Sequence, residues 1–390
     1  MRPIVLLLLL AGCSRPDFTL EEVDFTGPAG SLAPSLVAHG EGAILSWTEP
    51  FEGGHRVRVA VRHAAGWGEP QTVVAHDSLF VNWADFPMVG VFPDGRWLAH
   101  WLEKTAPDTY AYHVMMAVST DSGRTWSPPF RPHGDRSNTE HGFVAMAPMP
   151  DGLGAIWLDG RKAATDSQPA MTLRFTSIRS DGSATPDEEI DGMVCDCCQT
   201  GLAATTDGLV AVYRDRSPSE IRDVVVARRT AGGWTEPAKV HDDGWHYPGC
   251  PVNGPHAAAR GDTVAVAWFT NANDTARVLV AFSTNAGATF APPITVHYRR
   301  PLGRVDVLWL ADGDAAVAWL EETDGDAGAM RIRRVSTTGR LGTSVTFAET
   351  EATRRAGFPR LVVVPEGVLA AWRGPGDDGA VHARLLRINH

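Results

Sequence analysis

Ser119-Thr-Asp-Ser-Gly-Arg-Thr-Trp126 has the composition of a tight turn between two strands. Asp121 can accept hydrogen bonds from the turn amides, Gly123 can take the positive φ that closes it, and Trp126 can plug an apolar gap beyond it. A degraded copy, Ser283-Thr-Asn-Ala-Gly-Ala-Thr-Phe290, follows later. Glycine turns recur at Gly66, Gly123, Gly182, Gly232, Gly287 and Gly339, 50 to 59 residues apart, which makes the chain an array of one repeated unit.

Each unit reads as strand, short turn, strand ending in an aromatic residue, variable loop, third strand, glycine turn, fourth strand. The aromatic marks are Trp47, Trp101, Trp157, Tyr213, Trp268, Trp319 and Trp372, separated by 51 to 56 residues. Seven marks predict an all-β fold, a seven-bladed β-propeller of four-stranded blades. The last unit supplies only three strands, near 358–364, 368–372 and 380–388, and the isolated strand Phe18–Phe25 fills the vacant place. Joining the two ends in one blade closes the ring and hides its edges. No linker divides the chain, so 18–390 is expected to form one domain.

The two quoted stretches resemble the Asp-box of sialidases and related propellers, Ser-x-Asp-x-Gly-x-Thr-Trp, and the first matches at every defined position. The resemblance implies a propeller whose Asp-boxes lie on the face opposite the active site. Sialidase propellers usually have six blades, so seven units depart from that pattern.

The formal charge of −11 excludes a nucleic-acid partner, whose phosphates need a basic surface. Only three lysines occur, Lys104, Lys162 and Lys239, so nearly all positive charge is arginine. At the N-terminus Arg2 precedes an apolar run from Ile4 to Leu10, and Leu10-Ala11-Gly12-Cys13 resembles the bacterial lipoprotein processing site. This implies a signal peptide over 1–12 and a lipidated tether over 13–17 beginning at Cys13. The expected product is a monomer in the cell envelope, held at the outer membrane by its lipid alone.

Topology sorts the loops by face. Those between second and third strands share one rim with those entering the next blade, and the glycine turns lie on the other. The shared rim gathers Cys195-Asp196-Cys197-Cys198, Tyr213-Arg214-Asp215-Arg216, Arg222-Asp223, Trp245-His246-Tyr247-Pro248-Gly249-Cys250 and Asn253-Gly254-Pro255-His256. Export favours disulfides, and a Cys198–Cys250 bridge would staple adjoining blades. A Cys195–Cys197 bridge would be strained. Without it, Cys195, Cys197 and His246 could hold copper or zinc, and a redox-active dithiol is the third reading.

Sialidase chemistry, as the resemblance implies it, needs three arginines gripping a carboxylate, a tyrosine nucleophile with its glutamate, and an aspartic acid. The Arg-Ile-Pro signature of that family is missing from Ala33-Pro34-Ser35-Leu36-Val37. The candidate catalytic set is Asp85, Arg216, Tyr247, Arg304 and Arg360. The candidate ligand-binding set is Arg222, Asp223, Asn253, His256 and Asp306. The expected function is recognition of a small molecule, a glycan or a protein partner at the cysteine-rich rim, with exo-glycoside hydrolysis and metal or redox work as alternatives.

Overall fold

A computed structural model of the chain describes residues 16–165 and 170–389. The lipidation expectation at Cys13 lies outside them. Seven antiparallel sheets follow one another in chain order, as the aromatic marks predict. Blade 1 comprises Leu32–His39, Gly42–Phe51, Gly54–His63 and Gln71–His76, and blade 3 comprises His141–Met149, Gly152–Asp159, Met171–Ile178 and Glu188–Val194. Blade 4 is built on Gly201–Thr205, Gly208–Arg214 and Val224–Thr230, and blade 5 begins at His256–Arg260. Blade 7 joins Arg360–Val364, Gly367–Arg373 and Val381–Ile388 to the N-terminal strand Phe18–Thr26, with Phe18 opposite Ile388 and Thr26 opposite His382. The ring is therefore closed by its two ends.

Second strands are apolar on both faces because each lies between two neighbouring blades. In blade 6, Ala315–Glu322, the odd positions Ala315, Val317 and Trp319 pack into one cluster with Ala265 and Val280 of blade 5. The even positions Ala316, Ala318 and Leu320 pack into another with Val368 and Ala370 of blade 7. Strand alternation thus makes every blade share its core with both neighbours. Trp47, Trp97, Trp157, Trp268 and Trp319 are among the largest fully buried side chains. Removing any one should cost about 3–5 kcal/mol.

The acidic residue two places after the aromatic mark has a structural task. It accepts the indole N–H of that mark, as in Trp47 to Glu49 at 2.6 Å and Trp157 to Asp159 at 2.9 Å.

The turn at Ser119–Trp126 forms as its composition suggests. Asp121 accepts the Thr125 amide at 2.8 Å and the Thr125 hydroxyl at 2.7 Å, while Ser119 Oγ accepts the Gly123 amide at 2.8 Å. Gly123 has φ +84°, and a Cβ there would stand 2.7 Å from the Trp97 ring. Blade 2 departs from the four-strand pattern. Its ladder holds Met88–Val91, Trp97–Lys104 and Tyr112–Ser119, and the fourth place is met by isolated contacts, bridges from Met116 to Phe130 and from Tyr112 to Glu140 and the Ser127 amide on the Val118 carbonyl. Pro128, Pro129 and Pro132 lack the amide donors a fourth strand needs. The chain therefore crosses to blade 3 as an irregular segment.

First strands surround the axis, where Ser35, Asp85, Phe143, Thr200, His256, Asp306 and Arg360 line a cavity of about 80 Å³. That is well below the roughly 300 Å³ of a small-molecule pocket.

Candidate functional site: a sulfur rim and a histidine rim

Three segments converge where blade 4 meets blade 5. The Cys195 amide donates to the Arg214 carbonyl at 3.0 Å, and the Arg222 amide to the Trp245 carbonyl at 2.8 Å. Arg214 fixes the junction from below. It is buried, donates to the carbonyls of Arg222, Asn253 and Phe269, and lies under the Trp245 ring, 4.7 Å from its centroid. Asp223 accepts the Trp245 amide at 3.0 Å, the Gly244 amide at 3.2 Å and Lys239 Nζ at 2.8 Å.

The expected staple forms, but through the neighbouring cysteine. Cys197 is bonded to Cys250, with their Cα atoms 6.0 Å apart, and the Cys198–Cys250 pairing is corrected. The strand ends at Val194 and the chain turns at Asp196 and Cys197, which sets Cys197 and Cys198 on different sides. Cys197 turns toward the exposed Cys250, while Cys198 turns inward. There it meets Cys195, Sγ to Sγ 3.1 Å, the two being 2% and 1% exposed. The sulfurs of Cys195, Cys197 and Cys198 all lie within 4.8 Å of one another. His246 is exposed and is not grouped with them, so the proposed ligand set of Cys195, Cys197 and His246 is not assembled.

The Cys195 thiol is pulled down to about 7, first by its hydrogen bond with Cys198 and then by the guanidinium groups of Arg222 and Arg214. Burial pushes Cys198 well up. Arg222 is 2% exposed and donates to Glu220 at 2.5 Å, leaving its Nε and Nη1 without a partner among the described residues. Arg216 bridges Asp196 at 3.2 Å and Glu220 at 3.0 Å. The Tyr247 amide donates to the Glu220 carbonyl at 2.9 Å, and its exposed ring lies 5.5 Å from Trp245.

The other arginines expected to grip a carboxylate are otherwise engaged. Arg304 lies 4.8 Å from the Trp83 ring centroid and donates to the carbonyls of Thr353 and Gly357. Arg360 covers Phe86 at 4.1 Å. Asn253 is a clamp between blades, accepting the Arg304 amide at 2.7 Å and donating to the Leu302 carbonyl at 3.1 Å. Asp306 and His256 pair at 2.7 Å within the axial lining. Burial works against the Asp306 charge, and His256 and Arg360 overcome it, holding the carboxyl below its usual range. Asp85 and Arg360 share the axial lining, and Arg304 and Arg360 flank the same Phe358 ring, whereas Arg216 and Tyr247 stand beside Glu220 at the blade 4–5 junction.

On the neighbouring arc of the rim, one blade further back, Tyr112 donates its phenol to Glu140 at 2.5 Å. Sequence reasoning missed both residues, and the only available signal was that each stands where a blade meets the rim. Burial pushes Glu140 up to about 7 and Asp85 up to about 8. Asp85 accepts the Phe143 amide at 2.6 Å, and a Cβ on Gly142 would lie 2.2 Å from its carboxylate. Beside this trio lie His113, His133 and His141, all buried.

Solved structures of like fold include a protein of unknown function from Dyadobacter fermentans, 13% identical with TM-score 0.53, covering 96% of this chain and 100% of that one. Phage phi92 endosialidase is 8% identical with TM-score 0.54, over 96% of this chain and 70% of that one. Polysaccharide lyase Uly1 is 9% identical with TM-score 0.53, over 92% and 90%. Likeness at such identity is one of fold alone, a β-propeller. No family profile and no curated protein sequence matches the chain.

Proposed function

We propose that this protein is an exported, lipid-tethered propeller whose sulfur rim exchanges disulfides with a disulfide-bearing protein or small molecule, oxidising the buried dithiol once per partner reduced. The observation that carries this reading is the buried Cys195–Cys198 pair, 3.1 Å apart in sulfur, directly beneath the surface disulfide Cys197–Cys250. Cys-x-x-Cys spacing with neighbouring guanidinium groups is the setting that activates a thiol, and a pKa of about 7 suits attack at neutral pH.

The exchange balances within the chain. The Cys195 thiolate attacks Cys197 Sγ, and Cys250 leaves as a thiolate with the electron pair. Cys198 then attacks Cys195 Sγ and expels Cys197. Two protons pass from the buried pair to the surface pair, and no net oxidation occurs. The exposed Cys250 can then attack a partner disulfide, and Cys197 resolves the mixed disulfide, which returns the surface bridge and releases the partner as a dithiol.

The test is peptide mass mapping after acid quenching and alkylation. A Cys195–Cys198 bridge should become detectable during turnover of a disulfide peptide, and a mixed disulfide at Cys250 should accumulate in Cys197→Ser. If the surface bridge survives a millimolar dithiol unchanged and no Cys195–Cys198 bridge ever forms, the reading fails.

A second reading, glycan cleavage, is favoured by the Tyr112–Glu140 contact beside a carboxyl held neutral at Asp85. A neutral acid next to a phenol–carboxylate couple can donate one proton and accept another. Arg360 lines the same cavity as Asp85, so acidic and uncharged glycans both belong on the panel to screen. Absence of turnover on that panel by the wild-type protein removes this reading.

A further inference from the structure

We propose that His113, His133 and His141 form a buried site for a divalent transition-metal ion of the imidazole-preferring class, zinc foremost, between blades 2 and 3. The site is independent of the cysteines. His113 lies in the third strand of blade 2, His141 opens the first strand of blade 3, and His133 comes from the irregular crossing segment between them. Each offers one ring nitrogen, and the three atoms lie within 4.8 Å of one another. Nitrogens on a tetrahedral ion at about 2.0–2.1 Å are spaced by roughly 3.3 Å, so a closure of about an ångström suffices. Small rotations of the His133 ring, which is stacked on His141 with centroids 4.4 Å apart, supply it.

Unpaired nitrogens are found on His133 and His141, whereas His113 Nδ1 lies 3.3 Å from His141 Nδ1 and would bind an ion through its other nitrogen or by giving up that contact. His141 places Nδ1 3.0 Å from the Thr139 carbonyl, and a proton there fixes the tautomer as it does for metal-bound imidazoles. Its Nε2 then carries a lone pair with no hydrogen-bond partner among the described residues. That nitrogen stands 3.1 Å from an Asp135 carboxylate oxygen and 3.6 Å from one of Asp159. Lone pair facing carboxylate is repulsive unless a cation lies between them. His133 is only 4% exposed, and neither of its nitrogens has a partner among the described residues. Such buried unpaired groups are each costly, and three donors converging on one point remove the cost together. His100 shows the contrast: it too is buried with both nitrogens unpaired, but no other ligating group joins it.

Among the nearby guanidinium groups, Arg161 is matched by Asp159 at 2.6 Å and Asp187 at 3.0 Å. Asp159 is thus already neutralised, and Asp135, 3.1 Å from His141 Nε2, is the carboxylate placed to balance an ion. In a blade that lacks a regular fourth strand, the ion would pin the crossing segment.

The experiment titrates Zn²⁺ and Co²⁺ into chelator-treated protein carrying Cys195→Ser and Cys198→Ser, which removes competing thiolates. One equivalent should bind, with the strong visible bands of tetrahedral Co²⁺ and a rise in Tm. Asp135→Asn should weaken binding about 10–100-fold. His133→Ala should abolish binding while leaving the metal-free melting curve within a degree or two, which separates ligand loss from misfolding. Unchanged stoichiometry in His133→Ala overturns the proposal. So does an absence of binding together with nitrogen NMR shifts that mark His141 as a permanent imidazolium, with a proton doing the work assigned to the ion.

Discussion

The sulfur rim of blades 4 and 5 and the histidine rim of blades 2 and 3 occupy the same face of one ring, yet they are held in opposite ways. On the sulfur side the backbone connections are saturated, although Arg222 keeps two donors without a partner among the described residues: Arg214 gives its donors to three backbone carbonyls, and Asp223 collects two amides and a lysine. Above that frame, two thiols and a disulfide are the chemically labile groups. On the histidine side the frame itself is incomplete, because imidazole nitrogens stand unpaired where a fourth strand would have supplied order. The difference teaches that a repeat built from equivalent units can place reactivity either on a finished scaffold or within an unfinished one.

The strongest way to break this comparison is Arg214→Leu. Three carbonyls lose their donor in a buried junction, so unfolding free energy should fall by about 3–5 kcal/mol in urea titration. A loss below 1 kcal/mol would show that the sulfur side is not saturated as described.

Next in size is the pH dependence at Asp85. Its folded pKa is near 8 against an ordinary value of 3.8, so the unfolded chain gives up this proton before the folded chain does. Stability should therefore fall as pH rises from about 4 to 8, by on the order of a few kcal/mol, and Asp85→Asn should flatten that slope. Chemical denaturation across the range measures it.

Exchange at the sulfur rim should rise with pH and level off near 7, where an ordinary thiol would still be rising toward 8.5. Cys195→Ser should lower the rate at least tenfold, and Arg222→Gln should move the midpoint upward. Stopped-flow reaction with a disulfide probe resolves both effects. The smallest effect belongs to the histidine side: in metal-free protein, His133→Leu should change stability by less than about 1 kcal/mol, since no hydrogen bond is lost. A large loss there would mean that the unpaired nitrogens have partners after all.

The ring was legible because its cause is periodic. Trp47, Trp101 and their successors recur where every blade needs the same plug, and the short N-terminal strand has only one vacant place to fill. Blade 2 was read as four-stranded because the turn at Gly123 implies a following strand, whereas three prolines beyond it deny the ladder its donors. The site was legible to the level of segment and no finer. Spacing placed the Cys195–Cys198 run against Cys250, but whether residue 197 or 198 faces outward depends on local twist. Tyr112 with Glu140, and His113 with His133 and His141, are contacts made across the junction of two adjoining blades by residues with no common spacing or motif. A single sequence carries no signal for such pairs until the ring has brought them together.

The closing strand also fixes an orientation. Phe18 pairs with Ile388 at the far end of its blade, and Asp17 accepts the Thr343 amide at 2.9 Å beside the Gly339 turn. The chain thus enters the ring on the glycine-turn face. Under the proposed tether, the bilayer would lie beneath that underside and the cysteines would look outward into the surrounding aqueous space. Partners would then dock from solution, with no need to approach through the lipid headgroups.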